Sequence, residues 1–444
     1  MPKSFPAGGV HPPENKLTAS IPITVLPVPP GVVIPLSQHI GVPATPVVNK
    51  GDYVKTGQLI ASGKGFVSAS IHSPVSGKVT RIDSVPDSSG YKQSAIFIDT
   101  EGDEWVDTVD RSPATLKEIS LSAEEIVKRC LDSGIVGLGG ATFPSHVKLT
   151  IPSGKRCDLL IINGVECEPF LTSDHRLMLE KGEQILVGVS ILMKALKVGK
   201  AMIGIEANKP DAIKAMTDLA RGFKGISVHE LKVKYPQGGE KQLIKALTGR
   251  EVPSGKLPLD VGVVVHNVGT SFAVYEAVQK NKPLIERVVT VTGKSLSKPG
   301  NFMVRLGTPV STIIEAAGGM PEDTAKIVSG GPMMGKAVVN TSIPVVKGMS
   351  GIVLFPESES RRLNSGPCIR CAKCVAACPM GLEPYLLMIL AEKGLYEKAE
   401  ERKITDCMEC GSCSFACPAG RPLLDYIRLG KSTVIRMARE RALK

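Results

Sequence analysis

The sequence predicts a multidomain protein that combines α/β and β domains. Residues 26–98 contain short alternating strands separated by glycine turns, residues 121–280 alternate buried strands with helices, and residues 368–418 carry two matched runs of four cysteines. A chain of 444 residues is long enough for about three domains with sizeable cores. We place the parts as an extended arm (1–25), a β domain (26–105), an α/β domain (106–282), a small β domain with a helix (283–356), a helical cysteine-rich domain (357–430) and a basic tail (431–444).

The arm and the first domain carry few residues with obvious chemistry. The arm is rich in proline and lacks periodicity, so we expect it to lie extended on another surface. The segments K-G-D-Y-V-K-T-G-Q (Lys50–Gln58) and I-H-S-P-V-S-G-K-V-T-R-I (Ile71–Ile82) resemble the barrel-sandwich hybrid fold of lipoyl and biotinyl carrier domains. Those carriers present a modified lysine at a hairpin tip, and the nearest candidate, Lys64, lacks their flanking pattern. The resemblance implies a docking or structural module without carrier chemistry.

Residues 106–282 are expected to form a Rossmann-like domain. Ser122 and Glu125 make the S-x-x-E pattern of a capping box, which predicts that a helix begins there. The apolar runs in R-C-D-L-L-I-I-N-G, K-A-M-I-G-I-E-A and I-S-V-H-E-L-K-V are typical of strands buried on both faces. Helical segments separate these runs, and Pro210 marks the first turn of one of them. This alternation predicts a parallel sheet.

The next segments predict a smaller unit. R-V-V-T-V-T-G and F-M-V-R-L-G-T-P-V predict two strands, and S-T-I-I-E-A-A-G-G predicts a helix that ends at Gly318. They indicate a β-grasp unit similar to SLBB domains, followed by a turn at Gly330–Gly335 and a polar linker at residues 357–366. Tyr426–Lys444 is basic and helical, and a solvated C-terminal helix is favoured over a membrane anchor.

Eight of the eleven cysteines lie in two C-x2-C-x2-C-x3-C-P runs. This is the spacing of bacterial two-cluster ferredoxins, in which the fourth cysteine of each run ligates the other cluster. Zinc sites use four ligands in paired C-x2-C knuckles and disulfides need an oxidising compartment, so neither alternative fits two quartets that end in Cys-Pro. The sequence therefore predicts two [4Fe–4S] clusters, cluster 1 on Cys368, Cys371, Cys374 and Cys417, and cluster 2 on Cys407, Cys410, Cys413 and Cys378.

Composition narrows the classes of partner. The net charge of +11 suggests an acidic partner or an anionic membrane surface. Aromatic residues make up only 4% and no basic stretch interleaves with them, so nucleic acid binding is not expected. The N-terminus lacks the apolar region of a signal peptide, and no apolar run reaches the length of a membrane span. Iron–sulfur ligands and free thiols imply a reducing compartment, and Cys130 and Cys157 are expected to be buried small hydrophobes.

A nucleotide site is predicted from four segments. Gly137–Lys148 reads G-L-G-G-A-T-F-P-S-H-V-K, whose glycines would let the backbone approach a flat ring or a phosphate, although a tight packing turn would have the same composition. Asn163–Pro169 follows a buried strand, at the end where α/β folds bind ligands. Tyr235–Gln242 and His266–Thr270 follow two further strands, so the four segments together favour a nucleotide site.

In this order and spacing the four segments resemble the flavin- and NADH-binding subunit of respiratory complex I. From about residue 8 to 430 the whole chain resembles the RnfC family, the C-type subunits of the Rnf ion-translocating electron transport complex. The resemblance lies in H-P-P-E-N-K, I-P-L-S-Q-H-I-G, P-V-S-G-K-V, Y-P-Q-G-G-E-K-Q and the double ferredoxin motif, which occur in that family's order. It implies non-covalent FMN, NAD(H) as substrate and two [4Fe–4S] clusters.

The resemblance also implies roles for individual residues. Two positions depart from the complex I pattern: Leu138 stands where that subunit usually has arginine, and Val165 replaces the aspartate of its N-x-D-E run. Both changes remove polar contacts. The implied contacts to the flavin are Gly137, Gly139, Gly140 and Lys148 on its phosphate side, Asn163, Glu166, Asn267 and Thr270 nearby, and Tyr235 and Gly238 closing the pocket; Phe143 would stack on the nicotinamide nucleotide, and Glu168 and Glu240 would bind its ribose or nicotinamide region.

The implied function is that of a peripheral electron-transfer subunit in a membrane ferredoxin:NAD+ oxidoreductase, coupled through other subunits to Na+ or H+ translocation. Its expected partners are the other membrane and ferredoxin-type subunits of that complex on the cytoplasmic face of the membrane, with ferredoxin acting indirectly. No acid–base catalyst is assigned, because hydride transfer depends mainly on position. His175 and His266 are expected to lie on the surface or to support other residues.

Two alternatives stay open. A soluble flavin and iron–sulfur reductase for cobalamin shares these modules, but in that family the glycine-rich turn lies near the N-terminus, whereas here a full barrel-sandwich domain precedes it. A flavin-free electron wire, in which the α/β domain is only a docking platform, is kept open by Leu138 and Val165.

Overall fold

A computed structural model describes residues 2–362 and 364–442, and within these residues the longer strands form four sheets. Met1, Leu363 and residues 443–444, which belong to the predicted arm, linker and tail, lie outside the described residues. The architecture is the mixed multidomain fold that the sequence predicts, with a β unit, a parallel α/β unit, a third unit built on a mixed sheet and a helical unit in chain order.

The β unit consists of two small antiparallel sheets in the barrel-sandwich arrangement. Their strand orders are β2-β8-β7-β4 and β3-β5-β6. Alternate residues of both sheets point inward and enclose a core that includes Val54, Ile60 and Ile96, all fully buried. The strands are β2 (Gly31–Pro35), β3 (Thr45–Pro46), β4 (Tyr53–Val54), β5 (Leu59–Ser62), β6 (Ile71–His72), β7 (Gly77–Pro86) and β8 (Lys92–Thr100), preceded by β1 (Ile23–Val25) from the arm.

The α/β unit is a parallel four-stranded sheet flanked by helices. Helix α1 begins as predicted, since Ser122 Oγ accepts from Glu125 N at 3.2 Å and Glu125 Oε2 accepts from Ser122 N at 2.7 Å. The strand order is β11-β10-β9-β12, so all four strands end at one edge. The elements are α1 (Ala123–Asp132), α2 (Ser145–Leu149), β9 (Leu159–Asn163), α3 (Ser173–Glu180), α4 (Gly182–Leu196), β10 (Ala201–Glu206), α5 (Pro210–Ala220), β11 (Ile226–Leu231), α6 (Glu240–Thr248), a 3-10 turn (Pro258–Val261), β12 (Val263–Asn267) and α7 (Val268–Gln279).

The third unit is a mixed sheet with the order β1-β14-β13-β17-β15-β16. The predicted helix ends at Ala316, two residues before Gly318. Strand β1, which belongs to the arm, pairs in parallel with β14 at the edge of the sheet. A strand of three residues is too short to be predicted from its sequence pattern. The elements are β13 (Glu286–Thr292), β14 (Gly300–Arg305), α8 (Val310–Ala316), β15 (Thr324–Ser329), β16 (Lys336–Ala337) and β17 (Gly351–Pro356).

The helical unit differs from the sequence prediction at both ends. The predicted linker contains a short helix, and the boundary predicted at residue 430 falls inside the last helix. That helix buries Ile427 and Val434 against the unit, so it is not fully solvated. No helix within the described ranges is long and apolar enough to cross a membrane. The elements are α9 (Glu357–Ser360), α10 (Lys373–Ala376), α11 (Pro384–Glu392), α12 (Tyr396–Glu401), a 3-10 turn (Ile404–Asp406), α13 (Ser412–Ala416) and α14 (Leu423–Ala442).

The arm runs extended across three of these units. Lys3 pairs with Leu231 at the end of β11, and Gly9 N donates to the carbonyl of Ala377 in the helical unit at 2.9 Å. The Thr18 carbonyl accepts from Asn301 Nδ2 in the third unit at 3.0 Å. Because these contacts join residues far apart in sequence, the arm helps to fix the α/β, third and helical units relative to one another.

Candidate functional site

Two asparagines mark the carboxyl edge of the parallel sheet. Asn163 ends β9 and Asn267 ends the neighbouring β12, and Asn267 Nδ2 donates to the Asn163 carbonyl at 3.4 Å. Asn163 Nδ2 donates to the Gly238 carbonyl at 2.8 Å. Asn267 also caps α7, since its Oδ1 accepts from Gly269 N at 2.8 Å. The predicted segments around Asn163, Gly238 and Asn267 therefore meet at one place.

The glycine turn lies over the same edge. Gly137 N donates to the Phe143 carbonyl at 2.9 Å and closes the turn, and Leu138 N donates to Thr270 Oγ1 at 2.9 Å. A Cβ at Gly139 would lie 3.4 Å from Asn267 Cβ. Gly140 has φ of +106°, and among the described residues no atom would come within 4 Å of a Cβ there. The exposed backbone at these two glycines is thus open to a flat ring or a phosphate.

Lys148 and Glu240 face each other across this opening. Lys148 Nζ lies 2.7 Å from Glu240 Oε1 and donates to the Val265 carbonyl at 3.0 Å. Both side chains are half-buried, so the pair is partly screened by solvent. Phe143, also half-buried, ends the glycine turn, where its carbonyl accepts from Gly137 N. A phosphate that reaches Lys148 would compete with the Glu240 carboxylate for the ammonium group.

The other two predicted glutamates, Glu166 and Glu168, accept hydrogen bonds from backbone amides of other segments. The Glu166 carboxylate caps α3, accepting from Asp174 N at 2.8 Å and His175 N at 3.0 Å. Glu168 Oε2 accepts from Met333 N at 3.1 Å, and its Oε1 accepts from Met334 N at 2.9 Å. Burial raises the pKa of Glu168 to about 7. These hydrogen bonds hold both carboxylates within the protein rather than leaving them free for a ligand.

Two lysines that the sequence did not single out, the half-buried Lys16 and the buried Lys209, organise the loop after β9. Lys16 of the arm donates to the carbonyls of Glu166, Glu168 and Leu171 at 2.8, 2.9 and 2.7 Å. Lys209 donates to the Val165 carbonyl at 2.8 Å. Burial lowers the pKa of Lys16 to about 8. Lys16 stands in the quoted H-P-P-E-N-K segment, but sequence alone does not reveal that it contacts a loop about 150 positions later.

Beneath the turn, the half-buried Asp174 and the buried Arg287 form a polar group to which the sequence assigns no specific role. Asp174 Oδ2 accepts from Asn267 Nδ2 at 2.6 Å, and burial followed by repulsion from Glu166 raises the Asp174 pKa to about 7. Arg287 of β13 reaches the Leu138 carbonyl at 3.5 Å, and burial lowers its pKa to about 10. A small cleft is lined in part by Leu138, Asp174 and Arg287. The third unit therefore supports the glycine turn from below.

The two histidines considered in the sequence are buried rather than on the surface. His175 Nε2 lies 2.8 Å from Asp211 Oδ1, which places it in a supporting contact. Burial lowers the pKa of His266 to about 3, so its ring is neutral. Neither the His175–Asp211 contact nor the neutral His266 ring indicates proton transfer to a bound nucleotide.

The structure brings the fourth cysteine of each run to the other run. Burial, then repulsion from Cys407, Cys410 and Cys378, raises the pKa of Cys413 to about 12. Burial also raises the pKa of Cys374, and repulsion from Cys417 adds to it. These interactions place Cys378 beside the second run and Cys417 beside the first, the exchange that a two-cluster ferredoxin requires.

The surroundings of the second quartet also fit a cluster. A small, mostly apolar cleft is lined in part by Cys378, Cys407, Cys410 and Cys413. In the described part of the chain, no three His, Cys, Asp or Glu side chains meet closely enough to hold a single metal ion. A [4Fe–4S] cluster binds each thiolate through a different iron, so its ligands need not converge on one point.

The two quartets differ in what surrounds them. We call Cys378, Cys407, Cys410 and Cys413 the inner quartet and Cys368, Cys371, Cys374 and Cys417 the outer quartet. The Tyr235 hydroxyl, in the loop before α6, donates to the Cys410 carbonyl at 2.8 Å and lies 3.3 Å from Glu168 Oε1. In the outer quartet, Cys368 and Cys371 are exposed. The inner quartet therefore adjoins the α/β unit, and the outer one faces solvent.

Comparison with family models assigns each unit. The chain matches the RnfC barrel sandwich hybrid domain over residues 4–103, the Nuo51 FMN-binding domain over 130–276, the SLBB domain over 288–337 and the 4Fe-4S dicluster domain over 361–422. The cysteine quartets and these domains define an electron-transfer protein that carries FMN and two [4Fe–4S] clusters, as the sequence predicted.

Relatives that match almost the whole chain identify its family. The chain is 51% identical over 435 residues to the C-type subunit of the proton-translocating ferredoxin:NAD(+) oxidoreductase complex of Clostridium ljungdahlii, covering 97% of this chain and 94% of that protein. It is 44% identical over 434 residues to the C-type subunit of the Na(+)-translocating ferredoxin:NAD(+) oxidoreductase complex of Acetobacterium woodii, covering 98% of each. The chain belongs to the RnfC family of ion-translocating oxidoreductase complexes.

Among solved structures, similarity is weaker. The NAD+-reducing [NiFe]-hydrogenase in its H2-reduced state superposes with a TM-score of 0.49 at 17% identity, covering 70% of this chain and 63% of that chain. This likeness is too low to support a statement about fold or activity.

Proposed function

We propose that the chain passes electrons between NAD(H), FMN and two [4Fe–4S] clusters, as a peripheral subunit of a membrane ferredoxin:NAD+ oxidoreductase. When bound, FMN exchanges a hydride with the nicotinamide and single electrons with iron–sulfur clusters. The observation that carries the proposal is the hydrogen bond from Tyr235 to the Cys410 carbonyl, because the same loop supplies Gly238 to Asn163 at the sheet edge. A nucleotide pocket and a cysteine quartet thus share one short segment.

The flavin pocket follows from the open backbone and the amides. Gly139 and Gly140 would admit the ring or phosphate, and Lys148 would supply the positive charge for the phosphate. Val165 is buried against Gly238, and Leu138 is buried where its carbonyl accepts from Arg287. Both apolar side chains replace polar contacts with packing. The remaining residues proposed to line or shape the pocket are Gly137, Asn163, Tyr235, Gly238, Asn267 and Thr270.

The nicotinamide nucleotide would bind on the open side of the flavin pocket. We retain Phe143 as its stacking residue and Glu240 as a hydrogen-bond acceptor for its ribose, since both border the glycine turn. Glu166 and Glu168 are reassigned. Glu166 would hold α3, and Glu168 would join the α/β unit to the loop at Met333 and Met334.

We assign cluster 2 to the inner quartet and cluster 1 to the outer quartet. The inner quartet lies against the Tyr235 loop, the arm and the third unit, so it is the nearer of the two to the flavin pocket. Cys368 and Cys371 leave the outer quartet accessible to a partner. We infer that a ferredoxin-type subunit of the complex binds on this side, and that the chain is held by such partners on the cytoplasmic face of the membrane.

An anaerobic NADH titration tests the proposal. Protein reconstituted with FMN, iron and sulfide is expected to lose flavin absorbance on addition of NADH, and Asn163→Ala is expected to retain less FMN than Asn340→Ala, an exposed control in the third unit. Low-temperature EPR then reports whether the clusters gain electrons. If no flavin binds and NADH changes nothing, the nucleotide site is refuted and only the electron-wire alternative survives.

Location is tested in cells that contain the whole complex. The chain is expected in the membrane fraction and to be released when its partner subunits are deleted. Recovery in the soluble fraction of cells with an intact complex would contradict the peripheral membrane assignment.

A further inference from the structure

The barrel-sandwich unit exposes an apolar surface beside the glycine turn. Ile40, Val42 and Phe66 are 51%, 56% and 64% exposed, although each is a large hydrophobic side chain. Lys64, the hairpin-tip lysine without carrier chemistry, is exposed two residues before Phe66. We call Ile40–Val42 together with Lys64–Val67 the hairpin platform.

The hairpin platform is held in one conformation by buried polar contacts. Val42 N donates to the Val67 carbonyl at 3.0 Å, and a Cβ at Gly41 would lie 2.0 Å from that same oxygen. Ser68 Oγ donates to the Val42 carbonyl at 2.8 Å, and buried His39 Nε2 lies 3.1 Å from Ala69 N. The two segments of the platform therefore present their apolar side chains as a single preformed surface.

Two hydrogen bonds attach the platform to the nucleotide domain. Ile40 N donates to the Thr142 carbonyl at 3.3 Å, in the residue before Phe143. His146 Nε2, in α2, lies 3.0 Å from the Phe66 carbonyl, and the two rings meet edge to face with centroids 6.5 Å apart. These contacts hold the platform against the segment that contains the glycine turn, in which Gly139 and Gly140 are exposed.

We propose that the hairpin platform binds the adenosine half of NAD(H), with Phe66 stacking on the adenine and Lys64 near the pyrophosphate. The inference rests on the proposed function, which brings the nicotinamide half to the glycine turn. A dinucleotide must extend beyond that turn, and the platform is the adjoining surface that offers an aromatic face and a cation. Ile40 and Val42 would cover the edge of the base.

Ligand fragments separate this role from the nicotinamide contact. The full chain, loaded with FMN and clusters, is titrated calorimetrically with NAD+ and with ADP-ribose, which lacks nicotinamide and cannot be reduced. Phe66→Ala is expected to weaken both by about tenfold, the scale of one lost base–aromatic stack. Turnover with reduced nicotinamide mononucleotide, which lacks adenosine, is expected to be unchanged. Lys64→Gln is expected to weaken ADP-ribose by about threefold, and less at high salt.

The matched control is Tyr91→Ala, which removes a 76% exposed aromatic ring from the other long hairpin of the same unit. It is expected to leave both affinities unchanged. Equal affinities in Phe66→Ala and wild type would overturn the inference while leaving the proposed function intact. Loss of membrane association in Phe66→Ala with unchanged ADP-ribose affinity would also overturn it, in favour of a contact with another subunit. A wild-type chain that binds neither ligand would refute the proposed function itself.

Discussion

The inner and outer cysteine quartets have the same spacing in sequence and very different surroundings in the fold. The inner quartet is bordered by the Tyr235 loop, by Gly8 of the arm and by the loop at Met333, whose carbonyl would lie 2.8 Å from a Cβ at Gly411. The outer quartet has two exposed cysteines, and Tyr385 beside it is also exposed. Two copies of one motif have thus acquired different roles through the surfaces that cover them.

This difference has a functional meaning. A buried cluster gains protection from solvent and a fixed distance to its neighbours, whereas an exposed cluster can exchange electrons with another protein. The inner position suits transfer within the chain, and the outer position suits transfer between subunits. Substitutions in the two quartets and in the residues that border them test this difference.

The largest effect is expected from removing one ligand of each quartet. Cys410→Ser removes a buried ligand of the inner cluster. Because metal binding contributes directly to the free energy of folding, the loss should destabilise the protein. We expect it to lower the Tm by roughly 10 °C and to reduce FMN content. Cys371→Ser should lose a similar amount of iron while keeping its FMN and most of its thermal stability. Equal losses of Tm and FMN in the two variants would contradict the proposed difference between the inner and outer quartets.

The arm supplies a second test. Gly8 has φ of +72°, and a Cβ there would lie 2.5 Å from the carbonyl carbon and oxygen of Cys378. We expect Gly8→Ala to destabilise the protein by about 3 kcal/mol, through overpacking and the left-handed backbone. Gly381→Ala is the matched control, because its φ is +65° but no described atom lies within 4 Å of its Cβ. It should cost only about 1 kcal/mol. Thermal unfolding measures both, and EPR of Gly8→Ala should show the inner cluster perturbed.

Removing the Tyr235 hydroxyl tests whether its hydrogen bond to the Cys410 carbonyl affects the inner cluster. Tyr235→Phe removes this donor from the Cys410 carbonyl and one of the three donors from the Glu168 carboxylate, which should cost about 1 to 2 kcal/mol. The reduction potential of the inner cluster should shift as well. Tyr385→Phe removes a hydroxyl that donates to the half-exposed Glu383 at 3.1 Å, and it should change neither stability nor potential. A redox titration followed by EPR measures the potential of each cluster, and a shift in the outer cluster alone would contradict this prediction.

The same link predicts a pH dependence. The pKa of Glu168 is about 7 in the folded chain against an ordinary value of 4.5, so the folded state favours the protonated form. Its contribution to stability is present below pH 4.5 and is lost as the pH rises through 7, by at most about 3 kcal/mol.

Glu168→Gln should therefore lose less thermal stability than wild type between pH 5 and 7.5. The exposed control Glu322→Gln should follow the wild-type curve. Parallel curves for wild type and Glu168→Gln would show that the carboxyl is not held protonated.

Local patterns were enough to predict much of this architecture. The cysteine spacing predicts two clusters, and the buried strands predict the edge at which Asn163 and Asn267 meet, because strand ends in a parallel sheet are fixed by local sequence. The capping box at Ser122 is confirmed for the same reason.

Contacts between distant residues could not be predicted in this way. The resemblance implies ligand contacts for Glu166 and Glu168, yet in the structure their partners are a helix end and the Met333 loop, which lies 165 positions from Glu168. Lys16 and Arg287 carry no local signal for their roles, since each acts on backbone carbonyls of another unit. The difference between the inner and outer quartets has the same origin, because it arises from what the arm and the third unit cover.

The most direct test of the account is electron transfer from each cluster to NAD+. Cys371→Ser retains the inner cluster and Cys413→Ser retains the outer one. Each variant, loaded with FMN, is reduced with titanium(III) citrate and mixed anaerobically with NAD+ while cluster absorbance is followed by stopped flow. We expect the inner cluster to reoxidise as fast as in wild type and the outer cluster much more slowly. An outer cluster that keeps pace without its inner neighbour would contradict the proposed order.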